Sequence, residues 1–185
     1  MKWNEHGSLK GLHAPLSASQ SGWVNYDETR LRQYMNNLKA KEKGTKDHEF
    51  ANYAIENRYK MSNHKKSMNQ FVNDSIGFRM TSEQTLFYSE NCFGTADAIS
   101  FEETDEGKVL KIFDLKTGSS RVTFRQLYVY TALFCLEYNY DPFDLIIELR
   151  IYQNNEIMIQ VPEPLEIRNI IDTIIKFDKI IIGMK

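Results

Sequence analysis

Residues 94–134 read GTADAISFEETDEGKVLKIFDLKTGSSRVTFRQLYVYTALF. Residues 94–101 and 109–115 have strand composition, and the polar run 102–108, with Gly107, reads as the turn joining them. After Gly118 the pattern becomes that of an amphipathic helix over about 123–138. With Phe101 opposite Leu110, an antiparallel register sets Asp97 opposite Asp114. Side chains alternate along a strand, so Asp97, Ile99 and Phe101 are expected on one face with Leu110, Ile112, Asp114 and Lys116. Two carboxylates and an ammonium group then sit at one end of an otherwise apolar face. A slip of one residue would break the arrangement.

Carboxylates held that close repel each other and raise one another's pKa. A divalent cation relieves the repulsion, and paired carboxylates are hard oxygen ligands suited to Mg2+ or Mn2+. A lysine two residues beyond the second acid can hold and activate a water beside such an ion. The competing reading is a plain ion pair of Asp114 with Lys116 or Arg121.

Upstream, residues 13–21 are small and polar and read as a loop. Helices are expected over 26–40, from an N-cap at Thr45 to about 59, and over 65–76. A strand follows at 83–89. Downstream, residues 145–152 and 156–161 form a hairpin around Asn154-Asn155. A last helix runs over 165–176, and the apolar tail 180–185 is expected to add a short strand or to pack on a neighbour. The result is one α/β (mixed α+β) domain over 1–185: a largely helical part to residue 80, a central mixed sheet over 81–161, and a C-terminal helix and tail.

Composition narrows the function. The 185 residues are 42% apolar and 26% charged, with a formal net charge of −2, which excludes a globally basic nucleic-acid binder. The charge is uneven: 13 Lys/Arg against 8 Asp/Glu up to Met80, then 10 against 17. No apolar run is long enough to span a membrane and no signal sequence is seen, so no membrane partner and a cytoplasmic location are expected. Cys92 and Cys135 are too few for a disulfide framework or a four-thiolate cluster, and read as buried apolar residues.

On the second helix, His48 shares a stripe with Ala51, Asn52, Ile55 and Tyr59, as a core histidine or as a ligand. Gln126 and Tyr130, four apart, share a face of the helix that must pack back over the sheet. Two basic stretches, Lys39, Lys41, Lys43 and Lys46, then Arg58, Lys60, Lys65 and Lys66, are solvated surface or phosphate contacts. Arg121 and Arg125, near the start of the Gln126 helix, are better placed to meet a scissile strand. Trp23, Tyr26 and Tyr34 read as core or interface rather than as stacking platforms for bases.

Together these motifs resemble the RecB-like branch of the PD-(D/E)XK nuclease superfamily. The resemblance lies in Gly94 and Asp97, then Asp114-Leu115-Lys116-Thr117-Gly118, then Gln126 and Tyr130, with the upstream run GTKDHEFA similar to that branch's histidine motif. The stretches HAPLSASQSGWVNYDE and SEQTLFYSENCFGTADA are similar to phage- and prophage-borne members. The resemblance covers roughly residues 13–138.

It implies a restriction-endonuclease-like core and hydrolysis of DNA phosphodiesters with Mg2+ or Mn2+. His48, Asp97, Asp114 and the backbone carbonyl of Leu115 would hold the metal. Lys116 would position the attacking water and stabilise charge on the phosphate, and Gln126 and Tyr130 would orient Lys116, the water or the DNA backbone. Glu83 would be a further acid of the site, and Arg121, Arg125 and Lys46 would contact DNA. An exonuclease in phage or mobile-element recombination is the leading expectation, working as a homo-oligomer or with a recombination or single-strand-binding partner. A structure-specific or restriction-like endonuclease and a non-catalytic DNA-binding or accessory protein are the alternatives. No G-x-x-x-x-G-K-[ST] motif is present, so a helicase fusion is not expected.

Overall fold

The computed structural model describes residues 1–12, 14–38, 46–117 and 121–184, and for residues 20, 36–38 and 46 the backbone alone. The expected N-cap Thr45, the lysines Lys39, Lys41 and Lys43, Gly118, and the side chain of Lys46 lie outside the described residues.

Five strands form one sheet in chain order: β1 (Thr81–Ser89), β2 (Cys92–Thr104), β3 (Gly107–Leu115), β4 (Leu145–Gln153) and β5 (Glu156–Gln160). The helices are α1 (Glu28–Leu38), α2 (Lys46–Glu56), α3 (Ser67–Gly77), α4 (Arg125–Tyr138) and α5 (Pro164–Ile182). β3 and β4 run parallel and the other neighbours antiparallel. Parallel neighbours need a crossover, and α4 supplies it. The domain is therefore a mixed sheet flanked by helices, as the sequence led us to expect.

The decisive hairpin has the expected register: Phe101 pairs with Leu110 and Ala98 with Phe113. It is longer than the sequence suggested. Pairing continues to Thr104 and Gly107, which leaves only Asp105 and Glu106 in the turn. Gly107 takes φ +134°, a conformation that side chains rarely adopt. The β4–β5 turn is also as expected, with Asn154 and Asn155 at φ 52° and 65°.

The sheet buries both faces. Ile99, Phe101, Leu110 and Ile112 pack with α4 and α5, while Ala98, Phe113 and Leu115 pack with α2 and α3. α4 is not the amphipathic helix expected: every residue from Leu127 to Cys135 is buried. α5 and a 3-10 stretch, Ala18–Asn25, pack against its other sides.

That stretch corrects a second expectation. Residues 14–17 are irregular, as the loop reading has it, but from Ala18 the chain is a 3-10 helix, and Leu16 and Ala18 are fully buried and lead to the buried Trp23. The Trp23 indole donates to the Ser17 carbonyl at 2.8 Å, which lets the ring sit in the core. Tyr26 and Tyr34 pack on that core edge to face. The C-terminal tail corrects a third: α5 continues to Ile182 instead of ending near 176. Ile167, Ile170, Ile171, Ile174, Phe177 and Ile181 keep helical spacing, so extension buries one more apolar turn. Cys92 and Cys135 are both buried, as expected.

Candidate functional site

The site lies where β1, β2 and β3 meet the first turn of α2. In β1–β2 the pairs Ser82–Ala98 and Gln84–Ala96 flank Glu83 and Asp97. In β2–β3 the position beyond Ala98–Phe113 holds Asp97 and Asp114. Three acids therefore occupy one row across three strands.

Regular alternation does not survive there. Ala96 and Ile99, three residues apart, both join the α4-side cluster, whereas Ala98 joins the other. Glu83, in the same row, takes φ 49°, a costly conformation for a residue with a long side chain. Asp97 consequently does not share a simple face with Ile99 and Phe101, as the strand pattern implied. It turns to the end of β3, where its Oδ2 accepts the Leu115 N–H at 2.9 Å.

α2 closes the row from above. Asn52 anchors it, accepting from the Ser82 hydroxyl at 2.6 Å. One turn earlier on that helix, His48 Nδ1 lies 3.4 Å from Asp97 Oδ2. Ala51 and Ile55 face inward as expected, but Tyr59 falls beyond the helix and is exposed. His48, Glu83 and Asp97 each bring one ligand atom into a group spanning no more than 4.8 Å. The set expected from the sequence had Asp114 and the Leu115 carbonyl in it. Among the described residues Glu83 completes the triad, and Leu115 takes part through its N–H, while its side chain is buried on the α3 side.

Asp114 and Lys116 form a second, adjoining group. Asp114 is 1% exposed. Its Oδ1 accepts from Lys116 Nζ at 3.1 Å. Its Oδ2 lies 3.0 Å from the same nitrogen but outside hydrogen-bonding geometry, and has no hydrogen-bond partner. Lys116 Nζ also donates to Gln126 Oε1 at 2.7 Å. Gln126 Nε2 donates to the Tyr130 hydroxyl at 3.2 Å, and that hydroxyl donates to the Thr95 carbonyl at 2.5 Å. The chain of contacts thus runs from Asp114 through Lys116, Gln126 and Tyr130 back to β2. Gly94 makes room for it: a Cβ there would meet Tyr130 Cε1 at 3.1 Å and Ala18 Cβ at 3.3 Å.

The electrostatics follow from burial and crowding. Burial, then the charge of Asp97, pushes the Glu83 carboxyl up to about 7. The same two causes push Asp114 up to about 7, against the pull of Lys116 and His48. The hydrogen bond to Asp97 raises His48 despite burial, helped by the charges of Asp97, Asp114 and Glu83. Burial raises Tyr130 well above its ordinary range, so its hydroxyl stays a donor.

The donor set fits a divalent cation. One imidazole and two carboxylates converge, and the adjoining buried Asp114 Oδ2 has an ion-pair contact with Lys116 but no hydrogen bond among the described residues. Positive charge at the centre would offset the repulsion that raises Glu83 and Asp114.

The remaining candidates stay outside the cluster. Arg121 and Arg125 are exposed, and Arg125 lies against the side-chain amide of Asn25. Thr95 is a supporting residue that the sequence reading missed, and Asn52 is one that it placed on the His48 stripe without a role. Thr95 acts through a backbone carbonyl, which every residue has, so no sequence signal marks it. Asn52, four residues after His48 on the same stripe of α2, has its signal in being a polar residue at a packing position.

Comparison of the chain with protein-family models, with curated proteins and with solved structures returns no match.

Proposed function

We propose that this protein is a Mg2+- or Mn2+-dependent DNA nuclease with a restriction-endonuclease-like core, acting as an exonuclease. The observation that carries the reading is the adjacency of two groups: the His48, Glu83 and Asp97 donors, and the buried Asp114–Lys116 pair backed by Gln126 and Tyr130. A plain surface ion pair has no need of a buried acid, and a core histidine has no need of two convergent carboxylates.

His48, Glu83 and Asp97 would hold the cation, with Asp114 beside them. When bound, the cation lowers the pKa of a water and offsets charge on the phosphate. Lys116 carries the other part of the chemistry. Gln126 and Asp114 fix its ammonium group, so its remaining proton can face a water or a phosphate oxygen without a search over rotamers. Tyr130 holds the Gln126 amide from behind and is itself held by Thr95. The imidazole in the donor set favours Mn2+ over Mg2+ as the tighter ligand.

The test is cleavage of end-labelled linear DNA with Mn2+. Lys116→Ala and Asp114→Ala are each expected to lose about 100-fold or more. Undiminished cleavage by both variants overturns the assignment. A covalently closed circle separates the modes: an exonuclease leaves it intact, and a restriction-like endonuclease opens it.

A further inference from the structure

Of the aromatic residues expected to be core or interface, Trp23 is buried and Tyr26 and Tyr34 are half-buried against it, which leaves a different set facing water. Among the described residues, only four aromatic side chains are exposed: Phe50 at 50%, Tyr53 at 55%, Tyr59 at 59% and Phe143 at 61%. Three of the four lie on α2 and just beyond it. The Tyr53 and Tyr59 rings face each other, with centroids 6.0 Å apart and planes tilted by 31°.

Residues 57–73 follow directly, and they contain no Asp or Glu but four Lys and Arg: Arg58, Lys60, Lys65 and Lys66. All four are exposed. This is a concentrated positive surface on a chain whose formal charge is −2.

The segment is held in place. The Asn73 side chain accepts the Met61 N–H at 2.8 Å and donates to the Met61 carbonyl at 3.0 Å. Asn69 donates to the Ser62 carbonyl and hydroxyl at 2.8 and 3.1 Å. Two amides of α3 therefore shape the loop that carries the lysines. Beside it lies a cleft of about 230 Å³, lined by Asn63, His64, Lys65, Gln70, Asn73 and Asp74. Gln70 lines the cleft, and its Oε1 is buried with no hydrogen-bond partner among the described residues. The one acid in the lining, Asp74, is paired with Arg150 at 3.1 Å and accepts from Tyr152 at 2.7 Å.

We propose that this surface is a track for single-stranded nucleic acid, on which Tyr53 and Tyr59 stack bases and Lys60, Lys65 and Lys66 hold phosphates. Single strands fit and duplexes do not, because a duplex keeps the faces of its bases inside its own stack. Tyr53 is on the same helix as His48, about 8 Å further along its axis. Glu56 sits beside Tyr53 on the helix, which directs the phosphates to the loop side, where the lysines are. The inference extends the nuclease reading, yet its test needs no cleavage.

The experiment is fluorescence anisotropy with a labelled oligothymidine, and with a duplex of equal length, in EDTA and over a range of KCl. Wild type is expected to prefer the single strand. Tyr53→Ala and Tyr59→Ala should each weaken it about tenfold, and Tyr53→Phe should bind as wild type does. Lys60→Ala, Lys65→Ala and Lys66→Ala combined should flatten the slope of log K against log salt by about 2. All these positions are exposed, and an unchanged thermal midpoint verifies folding. A preference for duplex, equal binding by the tyrosine and lysine variants, or no binding by wild type overturns the track; the last of these would leave the surface to a protein partner. Cleavage that fails while these binding effects hold overturns the nuclease reading alone.

Discussion

Replacing Asp114 by Asn should make the metal-free protein relatively more stable as pH rises. Asp114 is buried, one oxygen accepts no hydrogen bond among the described residues, and its carboxyl is pushed up to about 7 from 3.8 by burial and then by the charge of Asp97. In the unfolded chain the proton leaves near the ordinary value. Between the two values the native state binds more protons than the unfolded state, so stability falls with rising pH and levels off above about 7. For these two pKa values, linkage gives a loss of about 2 kcal/mol between pH 5.5 and pH 8. Asn keeps the shape and cannot ionise. The difference in stability between Asp114→Asn and wild type should therefore shift by about 2 kcal/mol in favour of the variant over that window. In a chain of this size that is about 4–8 °C in Tm. Glu83 is also pushed up to about 7, but it is present in both proteins and largely cancels in the difference. The assay is thermal unfolding in EDTA, followed by circular dichroism at pH 5.5 and pH 8. Adding Mn2+ should raise the wild-type Tm at pH 8 and raise that of Asp114→Asn less. A stability difference that stays constant with pH would refute the claim that burial and the charge of Asp97 strain this carboxylate.

Two further substitutions separate packing from chemistry. Gly94→Ala should destabilise by about 1–3 kcal/mol, because its Cβ would press on Tyr130 and Ala18; it should also lower cleavage by displacing Tyr130 from Thr95, which denaturant melts and a rate measurement would register together. Asp178→Ala should cost about 1–3 kcal/mol and leave cleavage per folded molecule unchanged. It removes the acceptor of Ser89 Oγ at 2.6 Å and Asn91 Nδ2 at 2.9 Å, a contact of α5 with the β1–β2 turn that takes no part in the acid row.

The readings that survived contact with the structure are those set by local pattern. Strand composition and a polar turn containing Gly107 were enough for the hairpin, and the Phe101–Leu110 register assumed for it is the one observed. Four-residue spacing was enough to align Gln126 with Tyr130: Gln126 accepts from Lys116 and donates to the Tyr130 hydroxyl. Segments failed where burial came from elsewhere in the fold. Residues 13–21 read as a loop because they are small and polar, yet the Ala18–Asn25 stretch packs on α4 with Ala18 and Trp23 fully buried. α4 was read as amphipathic because a single helix shows only its own pattern, whereas α5 and the Ala18–Asn25 stretch bury its other sides.

The candidate site divides along the same line. Sequence alone determined which chemical groups are available and in what order along the chain: two acids and a lysine on paired strands, a histidine on an early helix, and a glutamine and a tyrosine on a later one. Tertiary structure alone decided which of them meet. Glu83 joins His48 and Asp97 because the β1–β2 register sets it in their row, with its backbone at φ 49°. Asp114 stands one step aside with Lys116, because Asp97 breaks the strand alternation to accept the Leu115 N–H. Period-two patterning describes a regular strand, and a row of crowded carboxylates is where a strand has most reason to depart from it.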